Sequence, residues 1–258
     1  MGERDKKILI VDDSETFLMY TSILLNRMGF DKVMPAKNGI EALKLLRILM
    51  PDIVLLDIVM PEMDGITTLR HIKGDEQTSS IPVIIVTIKS DRQAIEECER
   101  LGCSCYITKP AKLSELHNAL NKNITYPRGK KRKLLRTSIE EKVVLTHKGK
   151  NEELHAVCLS EGGIYIRKSN PLRVGTEVEV SISLDREKSV NLKGTVIYIR
   201  GLRGDIFKVP PGMAIEFKDL TNNDAVMIKE HITKLLTEDI LNEQNEPCIA
   251  IDSKIKNM

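Results

Sequence analysis

The chain has 258 residues, with 39 Lys plus Arg against 37 Asp plus Glu, five Cys, no Trp and 3% aromatics. At roughly 100–200 residues per domain this length suggests two modest domains, and 41% hydrophobic with 29% charged residues excludes wholesale disorder. No apolar run approaches the ~20 residues of a membrane span, and the opening Met-Gly-Glu-Arg-Asp-Lys-Lys leads straight into a strand-like run, so neither a leader peptide nor membrane insertion is expected.

In chain order, short apolar runs alternate with helical patterns up to about residue 120. The runs are Lys7–Val11, Lys32–Met34, Asp52–Asp57, Pro82–Thr87 and Cys105–Ile107. Between them, apolar residues recur at helical spacing, as in Phe17, Leu18, Ile23, Leu24 and Leu25, or Ile40, Leu43, Leu46 and Leu49. Continuous Ile/Val/Leu strands separated by helices of 10–15 residues indicate a parallel sheet buried on both faces. Five such units predict a flavodoxin-like, doubly wound five-stranded α/β domain. Ser14, Asn38 and Ser90 signal helix starts, and Gly29 and Gly102 signal stops.

The pattern breaks at Asn121–Lys133, a polar stretch holding Pro, Gly and the start of a basic run. Beyond it the period becomes two, as in Glu177–Leu184 and Asn191–Ile199, with further strands at Lys142–Thr146, Glu153–Cys158, Gly163–Arg167 and Met213–Phe217. Seven or so short strands argue for a small antiparallel β-barrel. An amphipathic helix follows, with Val226, Ile228, Ile232, Leu235, Leu236 and Ile240 on roughly one face, and a frayed tail from about Asn242. The near-zero net charge is a cancellation: residues 1–120 carry −3 and residues 121–258 carry +5. The odd cysteine count and a lone Cys103-x-Cys105 suit reduced thiols of a cytoplasmic protein.

In an open parallel sheet, chemistry collects at the carboxyl ends of the strands. Asp12 and Asp13 end the first strand, Asp57 the third and Thr87 the fourth, while Lys109-Pro110 follows the fifth. Asp12-Asp13 alone would also suit a helix cap. Together, three carboxylates repel: at an effective dielectric of ~20, each pair ~4 Å apart costs about 4 kcal/mol. A cation relieves that repulsion, and hard oxygen ligands favour Mg²⁺. A carboxylate is also a nucleophile toward a phosphoryl group, and a lysine beside it stabilises the transferring oxygens. The residues therefore suit a phospho-aspartate site with Asp57 as acceptor, Asp12 and Asp13 holding metal, and Lys109 as a cationic clamp.

Ile-Leu-Ile-Val-Asp12-Asp13, Leu-Leu-Asp57-Ile-Val-Met-Pro-Glu-Met-Asp-Gly65, Val-Thr87 and Tyr106-Ile-Thr-Lys109-Pro110 resemble the receiver domain of two-component response regulators over about residues 6–122. The resemblance implies that Asp57 takes phosphate from a sensor histidine kinase, and that the Val59 carbonyl completes the protein ligands to Mg²⁺. It implies that Thr87 turns toward the phosphate and Tyr106 follows inward, a charge-triggered two-state shift. It also implies a cis Lys109–Pro110 bond. Val59 and Lys89 flank the acceptor at positions that influence phosphoryl lifetime in the family; Lys89 alone also reads as a solvated loop charge.

Arg128-Gly-Lys-Lys-Arg-Lys-Leu-Leu-Arg136 holds six cations in nine residues. It reads as a solvated linker or a nucleic-acid patch, though no helix-turn-helix and few aromatics accompany it, so no specific nucleic acid is expected. Arg132-x₃-Arg136 followed by Cys158-Leu-Ser160-Glu-Gly-Gly163 also resembles the PilZ domain over about residues 128–238, as do Asn170–Val178, Gly194-Thr-Val and Pro211–Phe217. That resemblance implies a β-barrel binding cyclic di-GMP through Arg132, Arg136, Cys158, Ser160 and Gly163. A guanidinium can stack on guanine, fork to its O6 and N7, or clamp a phosphate, which lysine cannot copy. Ser160 can donate to a phosphate or backbone, and the Gly162–Gly163 turn admits a ligand to the main chain. Cys158 stands where the family usually has Asp or Asn. Losing one charged hydrogen bond costs about 1.5–3 kcal/mol, roughly tenfold to over a hundredfold in affinity; by itself Cys158 also reads as a small buried hydrophobe at a strand end.

The expected organisation is a receiver over 1–122, a linker over 123–131, a PilZ-like barrel with its helix over 132–240 and a tail over 241–258. The expected function is a cytoplasmic response regulator that couples phosphorylation at Asp57 to a cyclic di-GMP module signalling through an unidentified protein target, in motility, pilus or polysaccharide control. It is expected to be no enzyme beyond slow self-dephosphorylation, with a homodimer left open. The alternative is a phosphorylation-controlled adaptor whose barrel does not bind the nucleotide.

Overall fold

The computed structural model describes residues 6–124, 134–185, 188–200, 210–243 and 249–251. The chain divides into two compact units, residues 1–133 with 237–258, and residues 134–236.

In the first unit, β1 (Lys7–Val11), β2 (Lys32–Ala36), β3 (Ile53–Leu56), β4 (Val83–Thr87) and β5 (Cys105–Thr108) form one parallel sheet in the order β2-β1-β3-β4-β5. β3 and β4 are buried along their whole length, as are Ile8–Val11 of β1. These runs are Ile, Val and Leu throughout, save Thr87 at the end of β4, because both sheet faces are covered. On one face Leu9, Val11, Val54, Leu56, Val83 and Ile85 share a cluster with Ala42 and Leu46 of α2 (Gly39–Leu49), Leu69 and Ile72 of α3 (Gly65–Gly74), and Ala94 and Cys98 of α4 (Arg92–Arg100). Two further helices, α1 (Glu15–Arg27) and α5 (Leu113–Asn123), complete the α/β alternation.

The helix starts follow local side-chain chemistry. Ser14 accepts from the Phe17 amide and Asn38 from the Glu41 amide, as their positions predict. At the fourth helix the cap is Asp91, not Ser90: the Asp91 carboxylate accepts from the Ala94 amide at 2.9 Å. Asp64 caps α3 in the same way, accepting from the Thr67 amide at 2.7 Å. Gly29 and Gly102 stop α1 and α4 with φ of 97° and 90°, a region costly for any residue with a Cβ. The short strand β6 (Ala111–Lys112) follows β5, after a cis Lys109–Pro110 bond.

In the second unit, β7 (Arg136–His147), β8 (Lys150–Ser160), β9 (Gly163–Arg167), β10 (Glu177–Asp185), β11 (Lys188–Arg200) and β12 (Gly212–Phe217) close a barrel in the order β10-β11-β12-β9-β8-β7. Six strands replace the seven or so short ones expected, and β7, β8 and β11 run 12, 11 and 13 residues. Each of the three passes through an irregularity, at Ser138/Glu141, Ala156/Cys158 and Val196/Tyr198. A bulge inserts a residue and breaks the alternation, so a period-two reading stops early there. β7 turns into β8 through Lys148 and Gly149, both at positive φ, the conformation of a tight hairpin. Val143, Leu145, Ile166, Val180, Ile182 and Val196 are buried at alternating strand positions.

Helix α6 (Asn222–Glu243) follows, with Ile228, Ile232 and Leu236 fully buried at intervals of four. Val226, grouped with them on sequence, is 40% exposed. Two positions from Ile228 is about 200° around a helix, so the two side chains face apart. Ile249–Ala250, in the segment read as a frayed tail, forms β13 and pairs in parallel with β6. Among the described residues, no helix is long and apolar enough to cross a membrane.

Candidate functional site

The order β2-β1-β3-β4-β5 reverses direction between β1 and β3, and an open α/β sheet forms its crevice at such a switch point. Val11 is level with Leu56, so Asp12 and Asp57 emerge together, and the Asp57 amide donates to the Val11 carbonyl at 2.9 Å. One ligand oxygen each from Asp12, Asp13 and Asp57 lies within 4.8 Å of the others. Asp12 and Asp57 are buried, whereas Asp13 is exposed.

Lys109 reaches the same point from the end of β5. Its amide donates to the Thr87 carbonyl at 2.7 Å, fixing the loop against β4. Its Nζ donates to Asp12 Oδ2 at 2.6 Å and to Asp57 Oδ2 at 2.8 Å, and it sits 4.1 Å from the centroid of the Phe17 ring. The lysine side chain is 9% exposed. Burial pulls the Lys109 pKa down, but the two carboxylates outweigh it and hold the ammonium charged. Burial raises Asp12 to about 6 despite Lys109, with the Asp57 charge adding to the rise. One ammonium thus faces three carboxylates, an excess of negative charge built of hard oxygen donors. That donor set fits a divalent cation such as Mg²⁺.

Val59, Thr87 and Tyr106 are tied into the loops beside Asp57. Asp57 Oδ1 accepts from the Val59 amide at 3.2 Å, and Val59 is 48% exposed. Thr87, fully buried, accepts from the Lys89 amide at 3.3 Å through its hydroxyl. Tyr106 donates its phenol to the carbonyl of that same Lys89. Burial pushes the Tyr106 hydroxyl up to about 12, so it remains a donor. The Lys89 peptide therefore links Thr87 and Tyr106, while its ammonium lies 3.9 Å from Asp91.

Asp12 accepts from the Ser14 amide at 3.0 Å, but the cap of α1 is Ser14 itself, so the helix-cap reading of the aspartate pair does not account for Asp13. The roles of Phe17 and Gly65 at the site escaped the sequence reading. Phe17 lies under Lys109, three residues after the N-cap, a position legible only once α1 is packed. Gly65 is needed because a Cβ there would meet the Asp57 carbonyl oxygen at 1.9 Å; its presence next to the Asp64 cap was the available signal.

In the barrel, the register sets Arg136 opposite Ser160 and Ser160 opposite Gly163, with Cys158 opposite Ser138 and Tyr165. Thr137, Leu159 and Ile164, buried at the intervening positions, point inward. Alternation therefore puts Arg136, Cys158 and Ser160 together on the outer face at one end of β7 and β8. Ser160 Oγ donates to the Gly163 carbonyl at 2.9 Å. Arg132 lies outside the described residues, as do Arg128–Lys131 of the basic run. Cys158, near the end of β8, is half-buried and in no disulfide, whereas the simpler reading expected a small buried hydrophobe there.

Gly163 has a structural reason different from the expected one. A Cβ at Gly163 would meet the Ile215 carbonyl oxygen at 2.4 Å, so the glycine lets β9 lie against β12. At Gly162 a Cβ would meet Leu134 Cδ1 at 2.7 Å.

Comparison with known proteins places both halves. Residues 8–121 match the family model of the response regulator receiver domain, and residues 127–237 match that of the PilZ domain. Protein PilH of Pseudomonas aeruginosa is 40% identical over 115 residues, 45% of this chain and 94% of its own. Chemotaxis protein CheY-3 of Vibrio cholerae is 36% identical over 119 residues, 46% of this chain and 92% of its own. The signal receiver domain of a signal transduction histidine kinase from Syntrophus aciditrophicus is 33% identical, covering 48% of this chain and 94% of its own at a TM-score of 0.45.

Proposed function

Because the chain belongs to the response regulators, with a receiver domain followed by a PilZ domain, we propose that Asp57 accepts a phosphoryl group from a sensor histidine kinase and that the barrel is the output module, binding cyclic di-GMP. The observation that carries the first half is the Lys109 ammonium joining the buried Asp12 and Asp57 carboxylates at 2.6 and 2.8 Å. An Asp57 oxygen attacks phosphorus as the kinase's imidazole nitrogen leaves. Lys109 then neutralises the oxygens that arrive with the phosphoryl group. Asp12, Asp13, Asp57 and the Val59 carbonyl would hold Mg²⁺, which when bound supplies further positive charge at the transferring oxygens.

The Thr87 hydroxyl can exchange the Lys89 amide for a phosphoryl oxygen. That frees the peptide holding the Tyr106 phenol, and Tyr106 moves inward behind it. The protein is then a phosphoryl acceptor with at most slow self-dephosphorylation, working in the cytoplasm, and its output is a protein contact in motility, pilus or polysaccharide control. The test is uptake of phosphate from acetyl phosphate with Mg²⁺. One equivalent on the native chain and none on Asp57→Asn is the expected result; uptake unaffected by Asp57→Asn overturns the assignment.

For the barrel, support comes from the clustering of Arg136, Cys158 and Ser160 on one outer corner. Arg132 belongs to the same proposed site. Calorimetry with cyclic di-GMP decides: binding that weakens in Arg136→Ala is expected, and silence at high micromolar nucleotide overturns it. Cys158 in place of an acidic or amide acceptor favours the second reading, a phosphorylation-controlled adaptor whose barrel meets only protein.

A further inference from the structure

The last described strand lies on the first unit. Ile249 is level with Ala111 and Ala250 with Lys112 in a parallel pair. Ile249 is 2% exposed, Ala111 1% and Leu113 3%, so the pairing buries apolar surface as well as satisfying backbone. Ile249-Ala-Ile251 is an apolar run ahead of the polar Asp252-Ser-Lys, with a β-branched residue at each end. Its partner strand β6 begins directly after Lys109-Pro110, and Lys112 is the N-cap residue of α5, with no side-chain cap of its own. Two residues, Pro110 and Ala111, separate Lys109, whose ammonium is bonded to Asp57, from Lys112 at the end of the strand that holds Ala250.

We propose that the segment around Ile249–Ala250 is a built-in ligand of the receiver, an extended latch that docks on Ala111–Lys112 when Asp57 is unphosphorylated and loosens when it is phosphorylated. The proposal rests on the acceptor reading above. In the present geometry Lys109 bonds carboxylate oxygens on Asp12 and Asp57 directly. A phosphoryl group on Asp57 draws the Thr87 hydroxyl toward it, and the Thr87 carbonyl holds the Lys109 amide at 2.7 Å, so a shift at Thr87 is passed to the Lys109 backbone. The Lys109–Lys112 backbone moves with it, and a two-residue parallel pair tolerates little displacement before its hydrogen bonds lengthen. Five residues join the strand to the end of α6, so docking is intramolecular and a weak pair suffices to hold it. Linkage is reciprocal: to the extent that phosphorylation loosens the latch, the docked latch opposes phosphorylation. β6 thus holds a strand of the same chain in a two-stranded pair, an intramolecular counterpart of β-strand addition.

The experiment is amide hydrogen exchange on the full chain with and without beryllofluoride plus Mg²⁺, a phosphoryl mimic. Protection at Ala250 and Ile251 should fall at least fivefold on adding the mimic, together with changes at Asp57–Val59. Changes at Asp57–Val59 with unaltered protection at Ala250 and Ile251 overturn the latch and leave the acceptor reading intact. No change at either place overturns both. In parallel, Ile249→Asp and a chain ending at Asn245 should each bind beryllofluoride with Mg²⁺ roughly fivefold more tightly than the native chain, the low end of ordinary allosteric coupling. Affinities equal to that of the native chain in both variants overturn the proposal.

Discussion

Lys109 holds the receiver site together electrostatically, which sets what its removal does. Asp12 and Asp57 are buried, and the Lys109 Nζ bonds to both. Breaking a buried pair by deleting one partner costs about 3–5 kcal/mol, because the remaining charge stays buried. Lys109→Met should therefore destabilise the metal-free receiver by about 3 kcal/mol in urea unfolding, and added Mg²⁺ should restore part of the loss. Gly65 is a second single-residue constraint. A methyl group 1.9 Å from the Asp57 carbonyl oxygen has only backbone to push against. Gly65→Ala should cost about 1–3 kcal/mol and slow phosphate uptake, since the displaced backbone is the acceptor's own. Cys158 is the residue at which sequence and proposed ligand disagree. Cys158→Asp should raise cyclic di-GMP affinity by roughly tenfold or more in calorimetry, the reverse of the usual cost of a lost charged hydrogen bond.

At the scale of elements, the sequence is most legible where structure depends on neighbours in the chain. Ser14 and Asn38 cap their helices because a short polar side chain reaches an amide three residues on, a contact that needs no tertiary context. Asp91 displaced Ser90 as the cap of α4 by one position, since both can cap and only the loop path chooses. Asp64→Ala should cost about 1 kcal/mol in thermal unfolding by removing the bond to the Thr67 amide. Barrel strands were harder to delimit. Alternation identified Glu177–Leu184 nearly to its ends, but β7, β8 and β11 continue through irregularities where two residues face one, and periodicity loses phase there. The pairing of β13 with β6 was not legible at all. Two residues carry no period, and their partner lies more than a hundred positions upstream.

For the whole molecule, the charge asymmetry now has an address in one half. The net −3 of residues 1–120 includes three carboxylates gathered at one crevice, two of them bonded to Lys109. In the +5 of residues 121–258, Arg136 lies at the barrel corner with Ser160, while Arg132 and the rest of the basic run lie outside the described residues. The sequence by itself determined the two fold classes, the caps at Ser14 and Asn38, and the gathering of Asp12, Asp13, Asp57 and Lys109 at the strand ends. Those follow from periodicity, from short-range capping and from strand ends that any doubly wound sheet gathers at one edge. Tertiary structure alone decided which contacts those residues make. Phe17 lies beneath Lys109, Gly65 against the Asp57 carbonyl, Gly163 against β12, and Ile249 on β6. Each is a meeting of segments distant in the chain or a close steric fit, set by how elements pack and register, and neither composition nor local period encodes that distance.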